Sequence, residues 1–121
     1  MDDLKDIVFT YKEHTGYIKI NRPPNNFFDS DLIRQIADVL EEMDKKQDCR
    51  SIILYSEGKH FCAGADFSRS NFKNESEAYS ALYDQAVRLF RTSKPIIAVI
   101  QGAAVGGGLG VALAADFRIA C

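Results

Sequence analysis

The sequence predicts an α/β fold in which mainly parallel strands alternate with helices. Two short apolar runs of the kind found in buried strands, residues 51–55 (SIILY) and Ile96–Ile100 (IIAVI), each follow a longer segment whose apolar residues recur at helical spacing. The 121 residues contain no internal repeat, low-complexity tract or domain linker. We therefore expect residues 1–121 to form one β-β-α-β-α-β-α-β unit, because consecutive elements of this kind usually lie side by side.

The first two elements are predicted to form a hairpin. Residues 6–13 and 17–21 alternate apolar and polar side chains, as half-buried strands do. His14-Thr15-Gly16 lies between them and suits a turn.

A helix should follow the proline-containing segment 22–26. Asp29 or Ser30 can cap its amino end, and the helix should end near Gln47. Its apolar residues share one face: Leu32, Ile33, Ile36, Leu40 and Met43. Residues 51–55 are then predicted to be a strand buried on both faces of the sheet.

The second half of the chain repeats this alternation. Residues 60–62 can form a brief extended piece, and Asn74 with Glu77 resembles a capping box for a second amphipathic helix that runs as far as Ser93. The later elements are predicted to be a buried strand at Ile96–Ile100, a helix of small residues at 106–115 and the start of a strand at Phe117–Ala120.

Composition excludes several classes of function. The formal net charge is -2 and no run of five basic residues occurs, so nucleic acid is not an expected partner. Cys49, Cys62 and Cys121 are odd in number and lack a C-x-x-C pair, which favours neither a disulfide framework nor a zinc site. The first ten residues are acidic and lack the apolar core of a signal peptide. We expect a cytoplasmic protein that has no metal and no separate cofactor.

One segment has a membrane interpretation. Residues 96–115 form an uncharged run of twenty residues, about the length of a membrane-spanning helix. Five glycines and six alanines make this run only mildly hydrophobic, and Pro95 begins it in the manner of a strand. We therefore expect a buried strand and turn, with no membrane partner.

Two glycine-containing turns are the candidate chemical site. Ala63-Gly64-Ala65 and Gly106-Gly107-Gly108 each follow a predicted strand, and free N–H groups at such turns and helix starts attract negative charge. Two amides directed at one oxygen form an oxyanion hole. The alternative is that these glycines only allow close packing of a helix on the sheet. A dinucleotide loop needs a different third spacing, and a phosphate-binding P-loop needs a Gly-Lys-Ser/Thr that does not follow here.

Four motifs in order give the chain a family resemblance. They are Asn21-Arg22-Pro23 followed by Asn26-Phe27-Phe28, then residues 60–66 (HFCAGAD), residues 102–108 (GAAVGGG), and Ala115-Asp116. Each motif is weak alone, but together they span essentially the whole chain. The sequence resembles the crotonase (enoyl-CoA hydratase/isomerase) superfamily.

The resemblance implies a crotonase-like ββαβαβ spiral core and an enzyme that stabilises the enolate oxyanion of an acyl-CoA thioester. The implied catalytic groups are the backbone amides of Ala65 and Gly107. The implied substrate-binding residues are Asn25, Phe27, Ala63, Asp66, Phe67, Ser68, Gly106 and Gly110, with the Ala63 carbonyl near the adenine. Coenzyme A would enter as part of the substrate, and family members usually form trimers or dimers of trimers.

Two departures limit what the resemblance implies. Gly110 stands where the family's hydratases carry a glutamate, and their second glutamate would lie beyond Cys121, so the chain looks like the truncated front portion of a longer acyl-CoA-binding domain. Hydration needs paired acid and base groups, which favours isomerase, dehalogenase, decarboxylase or hydrolase chemistry. The rival hypotheses are a non-catalytic acyl-CoA-binding protein and a membrane or packing role for the glycine run.

The other candidate residues are predicted to serve mainly structure: His14, His60, Cys62, Asp66, Asp116, Tyr79 and Tyr83. The histidines have no neighbouring carboxylate and should lie in hydrogen-bonded turns, while Cys62 should be buried. Asp66 could act as a general base, but a carboxylate in a polar turn more often binds the loop backbone. Asp116 should fix the turn into the last strand. The helix that carries the two tyrosines should pack, and could help to cover the acyl pocket.

Overall fold

The computed structural model describes residues 4–64, 74–104 and 114–120. Their elements form a five-stranded sheet with two helices. In chain order they are β1 (Ile7–Lys12), β2 (Thr15–Ile20), α1 (Ser30–Lys45), β3 (Ser51–Ser56), α2 (Glu75–Leu89), β4 (Ile96–Ile100) and β5 (Phe117–Ala120).

The sheet follows the order of the chain, from β1 to β5. The β1–β2 pair is antiparallel, with Ile7 opposite Ile20, whereas β2, β3, β4 and β5 pair in parallel. The predicted α/β class with mainly parallel strands is therefore confirmed. Most of the predicted helix over 106–115 lies outside the described residues. Residues 114 and 115, which are described, lie in a turn before β5.

The core lies between α1 and one face of the sheet. The apolar face of α1 is buried, and it joins alternate residues of the central strands, including Ile18, Ile52, Leu54 and Ile96, in one cluster. The prediction that residues 51–55 are buried on both faces is wrong, because burial alternates along β3 and leaves Ile53 half-buried. Among the described elements, the buried strand residues and α1 meet on one face only.

The helix boundaries follow local hydrogen bonds. Asp29 caps α1 through a bond from Leu32 N at 2.9 Å, and Asn74 caps α2 through a bond from Glu77 N at 2.9 Å, as predicted. The second helix ends at Leu89 rather than at Ser93. Ser93 N instead donates to the Asp44 carboxylate, and such side-chain bonds compete with helical ones.

Helix α2 docks on α1 through a charged cluster as well as apolar contact. The Arg88 guanidinium binds Asp38 at 2.6 Å and Glu41 at 2.7 Å, and the bond from Arg88 holds the pKa of Glu41 below its usual value. Ala78 and Leu89 are buried, whereas Tyr79 and Tyr83 are 45% and 67% exposed. The packing predicted for the helix that carries these tyrosines is confirmed by its contact with α1, but the tyrosines themselves are not among its buried residues.

Other details of the elements also differ from expectation. Strand β2 begins at Thr15 rather than Tyr17, because the turn is made by Glu13 and His14, with Glu13 at φ 56°. The start of the apolar run 96–115 is a strand that pairs with β3 and β5, which contradicts a membrane helix there. Within the ranges 4–64, 74–104 and 114–120, no helix is both long and apolar enough to span a bilayer.

Candidate active site

The loops that follow β2, β3 and β4 lie at one edge of the sheet. These three strands run in parallel, so their carboxyl ends point the same way. Ligand sites of open α/β sheets usually form at this edge. The described parts of these loops are residues 21–28, 57–64 and 101–104.

The loops after β3 and β4 run side by side. Phe61 N donates to Gln101 O at 2.8 Å and Cys62 N donates to Ala103 O at 3.1 Å. A parallel bridge also joins Cys62 to Ala104. The two predicted glycine turns are thus approached by neighbouring segments, which the structure describes as far as Gly64 and Ala104.

Gly102 permits this close approach. It has φ +60°, and a Cβ there would lie 2.1 Å from Lys59 O and 2.7 Å from His60 Nδ1. Both the left-handed backbone and the short distance to rigid backbone favour glycine at this position.

The loop after β2 pairs with the loop after β3. Ala63 N donates to Asn25 O at 3.1 Å, and Phe28 N donates to Gly64 O at 2.9 Å. The predicted substrate-binding residues Asn25 and Ala63 are therefore brought into contact. Phe27 lies between these two bonds in the chain and is 36% exposed, so its ring is accessible at the same edge.

Asn26 is a site residue that the predictions did not include. Its side chain is fully buried, accepts from Arg22 N at 2.9 Å, and donates to Glu57 O and His60 O at 2.7 Å each. Its φ of 52° is one that asparagine tolerates better than most residues. An asparagine after two prolines was the available signal, but its partners on a distant loop have no signature in the sequence.

A buried ion cluster anchors the same loop to the body of the fold. Arg22 binds Asp6 at 2.8 Å and Asp29 at 3.1 Å, and also donates to Phe27 O at 3.0 Å. Burial alone would raise the pKa of Asp6, but hydrogen bonds from Arg22 and Gln35 outweigh it and leave that pKa lowered. The cluster fixes the base of the loop to β1 and to the start of α1.

Three of the residues expected to be structural have that role. Burial raises the pKa of Cys62 to about 11, so its thiol is neutral and suited to packing. The ring of His60 accepts a hydrogen bond from Ala103 N at 2.9 Å. The carboxylate of Asp116 accepts from Ile96 N at 2.9 Å, which fixes the turn into β5.

The remaining predicted site residues lie outside the described residues: Ala65, Asp66, Phe67, Ser68, Gly106, Gly107 and Gly110. Their roles stay predictions. Within the portion that is described, no group of three or more His, Cys, Asp or Glu side chains is arranged to hold a metal ion.

Comparison with known proteins decides the family. The sequence profile of the family described as enoyl-CoA hydratase/isomerase matches residues 10–121. The chain belongs to the enoyl-CoA hydratase/isomerase family. The crotonase-like fold and the acyl-CoA-related family inferred from the four motifs are both confirmed.

Individual relatives agree with this assignment. A Bacillus subtilis protein named as an enoyl-CoA hydratase/isomerase is 39% identical over 120 residues, covering 94% of this chain and 46% of the relative. The (E)-benzylidenesuccinyl-CoA hydratase of Thauera aromatica is 36% identical over 118 residues, covering 94% of this chain and 46% of the relative. The structure of Pseudomonas aeruginosa DspI superposes with a TM-score of 0.87 at 32% identity, covering 99% of this chain and 47% of that one. The chain thus spans about half the length of the relatives it matches.

Proposed function

We propose that this chain supplies the acyl-CoA-binding and oxyanion-stabilising part of an enzyme that acts on acyl-CoA thioesters. The backbone amides of Ala65 and Gly107 would donate to the thioester oxygen as it gains enolate character. The observation that supports the proposal most is the pairing of residues 61 and 62 with residues 101–104, because these residues lie shortly before the two proposed amide donors in the chain.

The physical basis is electrostatic. Two N–H groups held about 3 Å from a developing oxyanion stabilise it more than they stabilise the neutral carbonyl, which lowers the barrier to enolate formation. Asn25, Phe27 and Ala63, together with residues 66–68 and Gly106 and Gly110, would bind the coenzyme A thioester. Coenzyme A is part of the substrate in this proposal, and no metal or further cofactor is required.

The proposed reaction is isomerisation, dehalogenation, decarboxylation or thioester hydrolysis rather than simple hydration. Gly110 offers no carboxylate to activate water, and hydration needs an acid and a base. The relatives named above are hydratases or hydratases/isomerases by name, so hydration is the reaction against which this preference is to be tested. We also propose that the full-length protein assembles as a trimer or as a dimer of trimers.

A second candidate function is binding of acyl-CoA without catalysis. Gly110 is the observation that favours it, because a general base must then come from elsewhere.

Exchange of the α-protons of butyryl-CoA separates these candidates. Full-length protein is incubated with butyryl-CoA in D2O, and deuterium at the α-carbon is measured by mass spectrometry. Enolate stabilisation predicts incorporation above the protein-free rate, whereas binding without incorporation supports the non-catalytic candidate.

The thioether analogue of butyryl-CoA, which lacks the carbonyl, is the matched control ligand. Two hydrogen bonds worth about 1–3 kcal/mol together predict roughly 5- to 150-fold tighter binding of the thioester. If the protein binds neither the thioester nor the thioether, both candidate functions are contradicted.

A further inference from the structure

His60 joins the two loops that lead to the proposed amide donors. Its Nδ1 accepts from Ala103 N at 2.9 Å, across 43 positions of sequence. Because the backbone amide is the donor, Nδ1 carries the lone pair and the neutral ring carries its proton on Nε2. His60 thus makes a side-chain bond from the loop after β3 to the loop after β4.

The backbone of His60 is held at its carbonyl. This oxygen accepts from Asn26 Nδ2 at 2.7 Å and from Ser56 Oγ at 3.2 Å. Asn26 and Ser56 are both buried, so neither bond depends on a side chain that is free in solvent. The carbonyl of His60 is therefore held by the loop after β2 and by the end of β3, while its ring binds Ala103.

The approach of the two loops leaves little room for another arrangement. His60 Nδ1 would lie 2.7 Å from a Cβ at Gly102, and Gln101 Nε2 donates to Ser56 O at 2.9 Å and to Gly58 O at 3.1 Å. The absence of a side chain at Gly102 and the hydrogen bonds of the Gln101 amide allow Ala103 N to reach His60 Nδ1. The bond from Ala103 thus joins a residue four positions before Gly107 to a residue five positions before Ala65.

We infer that His60 is a positioning residue: its bond to Ala103 holds together the two loops from which the chain continues to the proposed amide donors Ala65 and Gly107. This inference rests on the proposed function, and it adds that the imidazole acts as a hydrogen-bond acceptor rather than as an acid, base or metal ligand. Oxyanion stabilisation depends steeply on donor position, because a misplacement of about 1 Å can cost about 100-fold in rate.

Three variants of the full-length protein test the inference. His60→Asn places Oδ1 close to the position of Nδ1 and retains the acceptor, whereas His60→Phe retains a ring but has none. Ile36→Val, on the buried face of α1 and outside the three loops in sequence, removes one methylene at a cost of about 0.5–1.5 kcal/mol. It controls for loss of stability alone. His60→Ala, which cannot overfill the space, replaces the phenylalanine variant if that variant does not fold.

The readouts are the kinetics of α-proton exchange and the infrared carbonyl band of bound butyryl-CoA. We expect His60→Phe to lower kcat for exchange about 10- to 100-fold with a much smaller change in KM, and to reduce the red shift of the carbonyl band. His60→Asn and Ile36→Val should retain both the rate and the shift.

The outcomes distinguish failure of the proposed function from failure of the role inferred for His60. If the unsubstituted protein gives no exchange and no red shift, the proposed function fails and the inference fails with it. If the unsubstituted protein gives both and His60→Phe retains them, the proposed function stands and the role of His60 is wrong. Equal losses in His60→Phe and His60→Asn would also overturn the inference, because the acceptor would then not be the group that matters.

Discussion

Replacing Gly102 by alanine should destabilise the fold strongly and locally. The new Cβ would lie 2.1 Å from Lys59 O, well short of the 3.4–4 Å of an ordinary van der Waals contact, and the backbone would keep a φ of +60°. The left-handed conformation costs alanine about 1–2 kcal/mol. Relief of the clash must separate the two loops and break the bonds Ala103 N–His60 Nδ1 and Phe61 N–Gln101 O, each worth about 0.5–1.5 kcal/mol. We expect a loss of about 2–5 kcal/mol in the free energy of unfolding.

Gly58→Ala is the matched control for this prediction. Gly58 also has a positive φ, of +88°, but a Cβ there would meet nothing nearer than Pro24 O at 3.8 Å. It should therefore show the backbone strain of about 1–2 kcal/mol without the clash. Urea unfolding of the full-length protein, followed by circular dichroism, measures both variants. Equal losses for Gly58→Ala and Gly102→Ala would refute the argument that close approach of the two loops requires glycine.

Further predictions concern the charged cluster around Arg88 between α1 and α2, the thiol of Cys62 and the side chain of Asn26. The pKa of Glu41, lowered from 4.5 by Arg88, should move back towards that value in Arg88→Gln, as measured by NMR titration; an unchanged pKa would contradict the assignment. The pKa of Glu41 is lower in the folded protein than in the unfolded one. The stabilisation from the Glu41–Arg88 pair is therefore present above the unfolded pKa and is lost as the pH falls through the folded pKa. Cys62, with its pKa raised to about 11, should react with iodoacetamide at pH 8 more than about 100-fold slower in the native protein than in urea, and peptide mass spectrometry would detect equal rates if this is wrong. Asn26→Asp should lower the free energy of unfolding by about 1–3 kcal/mol, because carboxylate oxygen would face two carbonyls; a stability equal to that of the parent protein in urea unfolding would show that these contacts contribute little.

The elements with a local signal were predictable from the sequence. Helix α1 has a capping aspartate and a regular apolar face, so its start at Ser30 was predicted within one residue. Its end at Lys45 comes two residues before the expected one, and there the Lys94 ammonium donates to the carbonyls of Met43 and Lys46. A bond from a lysine so distant in the chain leaves no local pattern.

The site was predictable in outline but not in its hydrogen bonding. The glycine motifs indicated where backbone would lie free of side chains, and the parallel order of β3 and β4 brings the following loops together. The partners of Asn26 and His60 were not foreseen, because both side chains bond to residues on other loops. Local sequence specifies that an asparagine can adopt a left-handed turn, whereas only the folded chain specifies which carbonyls its amide meets.

The burial of the strands illustrates a second kind of failure. The apolar run 51–55 suggested a strand covered on both faces, yet burial alternates along β3, with Ile52 and Leu54 buried and Ile53 half-buried. The hydrophobic composition of a strand indicates that it can be buried. Which of its residues are buried depends on the packing of α1 against one face of the sheet.

The most direct test of the central claim is a crystal structure of the full-length protein with butyryl-CoA bound. The proposed oxyanion hole predicts that the thioester oxygen lies about 2.7–3.1 Å from the backbone nitrogens of both Ala65 and Gly107. A thioester oxygen that contacts neither amide, while the coenzyme A portion is bound, would contradict it.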